Sequence, residues 1–166
     1  MRKTLTKIFC LIFVSFYSLK TELKLPITLN DAWDFFSSPK NLSKITPDEM
    51  GFIITNHPSS KMFEGQIITY KVSPLLGIKI NWMTEITTVK NHEYFIDEQR
   101  FGPYSLWHHR HDFYEIEGGV KMTDEVNYKL PFGVFGQIAH TLFVKKKLES
   151  IFEYREKVLL EMFGHL

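Results

Sequence analysis

A single cysteine, Cys10, stands in the 166-residue chain. It excludes an internal disulfide framework and any cysteine-based zinc site, and leaves histidines and carboxylates as the available metal ligands. A surplus of either charge is also lacking. Twenty Lys and Arg against nineteen Asp and Glu leave +1 with histidine neutral, without the basic excess that neutralising nucleic-acid phosphates requires; a nucleic-acid partner is not expected. The sequence carries no glycine-rich phosphate loop, no Gly-x-Ser-x-Gly elbow, no low-complexity stretch and no internal repeat, so phosphate-loop and serine-hydrolase chemistry have no anchor in it. Aromatic residues are what it has in plenty: fifteen Phe, seven Tyr and three Trp. That number fits a hollow or grooved interior lined by rings, and it equally fits a solid aromatic core.

Residues 1–16 form an N-terminal apolar extension ahead of a domain spanning 17–166. Arg2, Lys3 and Lys7 precede an apolar run from Ile8 to Leu19, which is too short to span a bilayer as a helix but has the length of a signal-peptide core. Phe13 and Phe16 occupy the positions where cleavage at Ser15 or Ser18 needs a small side chain. The expectation is a cytoplasmic protein that keeps the segment, the alternatives being export or membrane association through it. Membrane contact is thereby confined to residues 1–19.

From Tyr17 to Ile27, Leu19, Thr21, Leu23, Leu25 and Ile27 alternate with polar residues as in a half-buried strand. Leu29, Ala32, Trp33 and Phe36 then take helical spacing behind a Thr28 or Asn30 cap, and Pro39 to Ile45 reads as a second short helix. Gly, Pro and Asn breaks divide the middle into strands at about 52–56, 65–73, 78–89, 92–101, 104–117 and 120–130. In meander order, the seven strands make one curved antiparallel sheet. After Pro131-Phe-Gly133, Val144, Leu148, Ile151, Phe152, Arg155, Leu159, Met162 and Phe163 mark the apolar stripe of a long C-terminal helix, with Lys145-Lys-Lys147 mostly off it as a solvated face. The class is α+β, with that helix covering the concave face of the sheet.

Alternation places Trp107, His109, His111 and Phe113 on one strand face, Asp97 and Gln99 with Phe95 on another, and Asp124 with Met122, Val126 and Tyr128 on a third. Buried carboxylates need partners. Three readings stay open. The polar groups form a hydrogen-bonded network that orients strands or a ligand's polar end; or Asp97 or Asp124 orients His109 or His111 as a general acid/base pair; or His109-x-His111 with a carboxylate holds a metal ion. The scattered His57, His92, His140 and His165 read as surface residues, and Trp33 and Phe36 as packing.

The chain resembles the START-like, helix-grip SRPBCC superfamily, in particular its bacterial stand-alone ligand-binding and polyketide cyclase-related members. The resemblance runs from about Tyr17 to Phe163, on Leu25-Pro-Ile-x-Leu, Trp33-Asp-Phe-Phe-Ser-Ser-Pro-Lys-Asn-Leu42, Ile45-Thr-Pro and Met50-Gly-Phe52. It continues through Phe95-x-Asp97-x-Gln99, Gly102-Pro-Tyr104, Trp107-x-His109-x-His111-x-Phe113, the stretch from Met122 to Gly133 and Phe152-x-Tyr154-Arg155. It implies a helix-grip fold that binds or transfers a hydrophobic or amphipathic small molecule between sheet and helix; no cofactor and no metal are expected. The expected lining is Trp82, Phe95, Trp107, Phe113, Tyr128 and Phe152, with Gln99, His109, His111 and Arg155 as polar contacts. A cyclase or dehydratase using His109, His111, Asp97 or Asp124 is the alternative, and a protein-interaction module linked to cell division, a label some relatives carry, is the third.

Overall fold

The computed structural model describes residues 16–73 and 77–166. Seven strands, β1 (Tyr17–Leu25), β2 (Ile53–Ile54), β3 (Gln66–Val72), β4 (Ile80–Lys90), β5 (Tyr94–Phe101), β6 (Leu106–Ile116) and β7 (Gly119–Lys129), form one antiparallel sheet. Most of the N-terminal extension, Cys10 and the expected break at Pro74 lie outside the described residues.

The strand order is β1-β7-β6-β5-β4-β3-β2, so the expected meander holds for β2 to β7 but not for β1, which joins the far edge beside β7. A β1–β2 hairpin would need a tight turn, and residues 26–52 hold helices instead. The first is α1 (Leu29–Phe36), capped where Asp31 N–H donates to Thr28 Oγ1 at 3.1 Å; a 3-10 helix, Pro39–Ile45, follows. Strand β2 is shorter than expected because Asn56 leaves the ladder: its side-chain amide donates to Ile67 O at 2.9 Å and its carbonyl oxygen accepts from Thr69 N. Register shifts in β4 between Met83 and Thr84 and between Ile86 and Thr88 add the local twist that curls the sheet.

The C-terminal helical run has three parts, α2 (Val134–Ala139), a π-helical turn (His140–Val144) and α3 (Lys145–Phe163). Leu148, Phe152 and Leu159 on α3 are buried. Phe152 and Leu148 pack with Val126 and Tyr128 of β7, and Leu159 joins a second cluster with Leu25, Ala32, Trp33, Phe95 and Phe113. Met162, expected on the stripe, is exposed; Phe163 takes the contact at that end, edge-on to Phe35 with ring centroids 5.1 Å apart.

His140 departs from its expected surface position. It is buried, stacked on Tyr17 with centroids 3.4 Å apart, and 2.9 Å from the Tyr128 hydroxyl through Nε2. The π-helical turn places it there, since one wider turn rotates the helix and carries residue 140 against β1 and β7. Burial, aided by Lys145, pushes its pKa down. His57, His92 and His165 are exposed as expected.

Candidate functional site

The inward side chains of β5, β6 and β7 meet in a ring of four. Register puts Asp97 opposite His109 across β5–β6 and His111 opposite Asp124 across β6–β7, and two diagonal contacts close the ring. His111 Nε2 donates to Asp97 Oδ2 at 3.0 Å, and His109 Nε2 donates to Asp124 Oδ1 at 2.9 Å. His109 Nδ1 lies 3.3 Å from Asp97 Oδ2, and His111 Nδ1 lies 2.7 Å from Asp124 Oδ1. That last pair is close but badly aligned, and His111 Nδ1 makes no hydrogen bond among the described residues. The imidazole centroids are 3.8 Å apart.

His109 has a carboxylate at each ring nitrogen, which calls for a proton on both. Burial by itself pushes the imidazolium down, but the charges and hydrogen bonds of Asp97 and Asp124 outweigh it and hold the pKa up at about 9. Burial raises the two carboxyls, and the histidines more than reverse this, holding Asp97 and Asp124 below the usual carboxylate range. These are the same ion pairs seen from both partners, so their contributions do not add.

A pH profile follows. The fold favours protonated His109, so its contribution is complete below the unfolded-state value of about 6.5 and is lost as pH rises through about 9, about 3 kcal/mol in all. The carboxylates work in the opposite direction and lose their contribution below about pH 4. Between pH 7 and pH 9.5, stability is expected to fall by about 2 kcal/mol, lowering the melting temperature by roughly 5 °C. Calorimetry across that range tests this, and an unchanged melting temperature would contradict it.

The ring of four forms part of the wall of a cavity of about 180 Å³ between the sheet, the 3-10 helix and α3. Of the residues expected to line it, Trp82, Phe95, Trp107, His109, His111 and Arg155 do, with Asp97 and Asp124. Gln99, Phe113, Tyr128 and Phe152 lie off the wall. Gln99 clamps the β5–β6 turn, donating to Tyr104 O at 2.6 Å and accepting from Tyr104 N at 3.2 Å. Phe113 sits under α1 against Trp33 and Phe36, Tyr128 reaches His140, and Phe152 stands edge-on to His109 at 5.8 Å.

Neither Thr84 nor Tyr70 is among the site residues expected from the sequence. The Tyr70 hydroxyl and Trp82 Nε1 both lie 3.1 Å from Thr84 Oγ1, tying the polar edges of two cavity-wall rings to one hydroxyl. The available signal was period two: Thr84 shares the face of Trp82, and Tyr70 lies opposite Trp82 in register. Burial pushes the Tyr70 and Tyr104 phenols up, so both stay neutral.

Asp97, His109 and His111 each offer a metal-ligand atom, all within 4.8 Å of one another. The same atoms are committed to ion pairs, and a cation there would have to displace the His109 proton.

No family model matches the chain, and no curated protein does. Solved structures do match. Protein CV1439 from Chromobacterium violaceum superposes with a TM-score of 0.67 at 12% identity, over 89% of this chain and 96% of that one. A Thalictrum flavum norcoclaurine synthase point mutant in complex with a transition-state analogue gives 0.63 at 15% identity, over 90% and 97%. The di-domain ARO/CYC BexL from the BE-7585A biosynthetic pathway gives 0.66 at 13% identity, over 91% of this chain and 51% of that one. The chain has the helix-grip fold. In that fold, the sheet curls around the C-terminal helix and the cavity lies between them, as found here.

Proposed function

We propose that this helix-grip protein binds a small amphipathic molecule in the cavity, with an apolar body of about one ring and a carboxylate, carbonyl or phenolate oxygen accepting from Arg155. Buried Arg155 Nε, which has no hydrogen-bond partner among the described residues, carries this reading. Its guanidinium, 4.9 Å from the Phe152 ring centroid, belongs to a cavity wall otherwise rich in rings and aliphatic side chains. An unmatched buried donor costs about 1–3 kcal/mol, which an acceptor oxygen on a ligand would relieve. The volume supports a modest ligand, since a cavity of about 150 Å³ takes benzene. The ring of four supplies a fixed polar wall that orients the ligand. Within that wall His109, paired to a carboxylate at each ring nitrogen, acts as a fixed cation and not as a general base.

Native mass spectrometry of the purified protein, followed by thermal shifts with one- and two-ring aryl carboxylates, phenols and medium-chain fatty acids beside their methyl esters, tests the proposal. Acids are expected to stabilise the protein by about 2.7 kcal/mol at one hundred times Kd. Arg155→Met is expected to weaken acid binding by roughly 10- to 100-fold, the worth of a hydrogen bond to a charged group, and to leave apolar probes unaffected. A panel without any shift, or equal acid affinity in the variant, would overturn the reading.

A further inference from the structure

Helices of a folded domain normally turn their apolar side inward; α2 and the π-helical turn do the reverse. Gly136 and His140, four residues apart, are the buried positions. Gly136 lies so close to the Pro131 carbonyl and Leu130 Cβ that a methyl group there would overlap them, so this side is fastened to the end of β7. The opposite side carries Phe135, Ile138 and Leu142, spaced as one helical stripe, flanked by Phe132, Val134 and Phe143. All six are exposed, Phe132 at 82% and Phe135 at 79%. Isolated surface hydrophobics need no explanation, but a contiguous patch marks a contact surface.

The surrounding charge indicates what meets the patch. Residues 126–148 hold Lys129, Lys145, Lys146 and Lys147 and no acidic residue; Lys147 pairs with Glu49 at 3.3 Å and exposed Lys145 lies 3.9 Å from Glu149, while Lys129 and Lys146 have no carboxylate partner among the described residues. Lysines bordering exposed Phe and Leu on a helix are the composition of an element lying in the interface of an anionic bilayer. On the fastened side, Tyr17 pairs with Tyr128 and stacks on His140, and exposed Phe16 lies beneath Lys129 at 5.5 Å, which puts one further exposed ring at a bordering lysine. Among the described residues, no helix is long and apolar enough to cross a membrane, which fits an element that lies on the surface.

We infer that residues 132–146 dock the protein on an anionic lipid surface, with Phe132, Phe135, Ile138, Leu142 and Phe143 entering the headgroup region and Lys129, Lys145 and Lys146 facing the lipid phosphates. This extends membrane contact beyond residues 1–19 and recasts Lys145 and Lys146, which the sequence presents as part of a solvated face. It does not depend on the cavity's ligand.

Flotation of the full chain with vesicles of phosphatidylcholine, with and without about one third phosphatidylglycerol, provides the test. Binding is expected with the anionic vesicles and is expected to fall roughly tenfold or more in high salt, in the double variant Phe132→Ser/Phe135→Ser and in Lys145→Glu/Lys146→Glu. Thermal unfolding of each variant verifies that it folds. As a second readout, Phe135→Cys in a Cys10→Ser background carries an environment-sensitive dye, whose emission should shift blue only when anionic vesicles are added. Equal binding by the folded serine variant would overturn the inference. So would a dye already in apolar surroundings without lipid, which would mean that residues 1–15 cover the patch. A blue shift that follows protein concentration in the absence of lipid would overturn it in favour of a second copy.

Discussion

Replacing Asp97 by alanine is expected to destabilise the protein by about 3–5 kcal/mol, because it leaves a buried imidazolium with half of its compensation. Asp97 accepts from His111 Nε2 and lies 3.3 Å from His109 Nδ1, so one deletion opens the ring of four at two corners. The intact ring need not be worth this much. Removing both partners of a buried ion pair often costs far less than removing one, so the double variant Asp97→Ala/His109→Gln is expected to be at least about 1 kcal/mol more stable than the two single losses sum to. The pH profile supplies a reading that simple loss of packing would not change. Without Asp97, His109 loses a main support of its raised pKa, and the alkaline decline of the wild type should flatten. Urea unfolding at pH 7 and pH 9.5 measures all three quantities. A loss below about 1 kcal/mol for Asp97→Ala would mean that the ring is no more than a set of weak surface-type pairs.

Phe152→Ala is the second large effect, about 3–5 kcal/mol, or roughly 10 °C in melting temperature. The Phe152 ring is buried among Val126, Tyr128 and Leu148, meets His109 edge-on and lies beneath the Arg155 guanidinium. Its removal leaves a void behind the cavity wall and takes support from a cation and from the ring of four at once. Phe152→Leu keeps most of the volume and should cost under about 1.5 kcal/mol. Similar melting temperatures for wild type and Phe152→Ala would show that α3 collapses onto the void.

The inward face of each strand was legible in the sequence because alternation is local: Trp107, His109, His111 and Phe113 point one way whatever lies beside them. Register is not local, and the ring of four depends on it. Which carboxylate meets which histidine was open until the β5–β6 and β6–β7 pairings placed Asp97 and Asp124 at opposite corners. The place of β1 at the far edge was hidden for a related reason, since nothing within residues 17–25 encodes a partner about a hundred residues away. His140 was misplaced because its burial comes from a single widened helical turn, and no residue type marks such a turn. The apolar residues of 132–143 lie ahead of the stripe that starts at Val144 and carry no local mark of the side they take; only the close approach of Gly136 to Pro131 shows which side of that helix the fold keeps.

The pairing of β1 with β7 also sets an order of events in time. A growing chain presents Leu19, Leu23 and Leu25 on a strand that has no hydrogen-bonding neighbour until residues 120–128 have been made. Closing the sheet is therefore a late, long-range step of high contact order, the kind that slows folding. Until it happens, an apolar strand edge and the extension ahead of it remain available to whatever binds unfolded chains or offers a lipid surface.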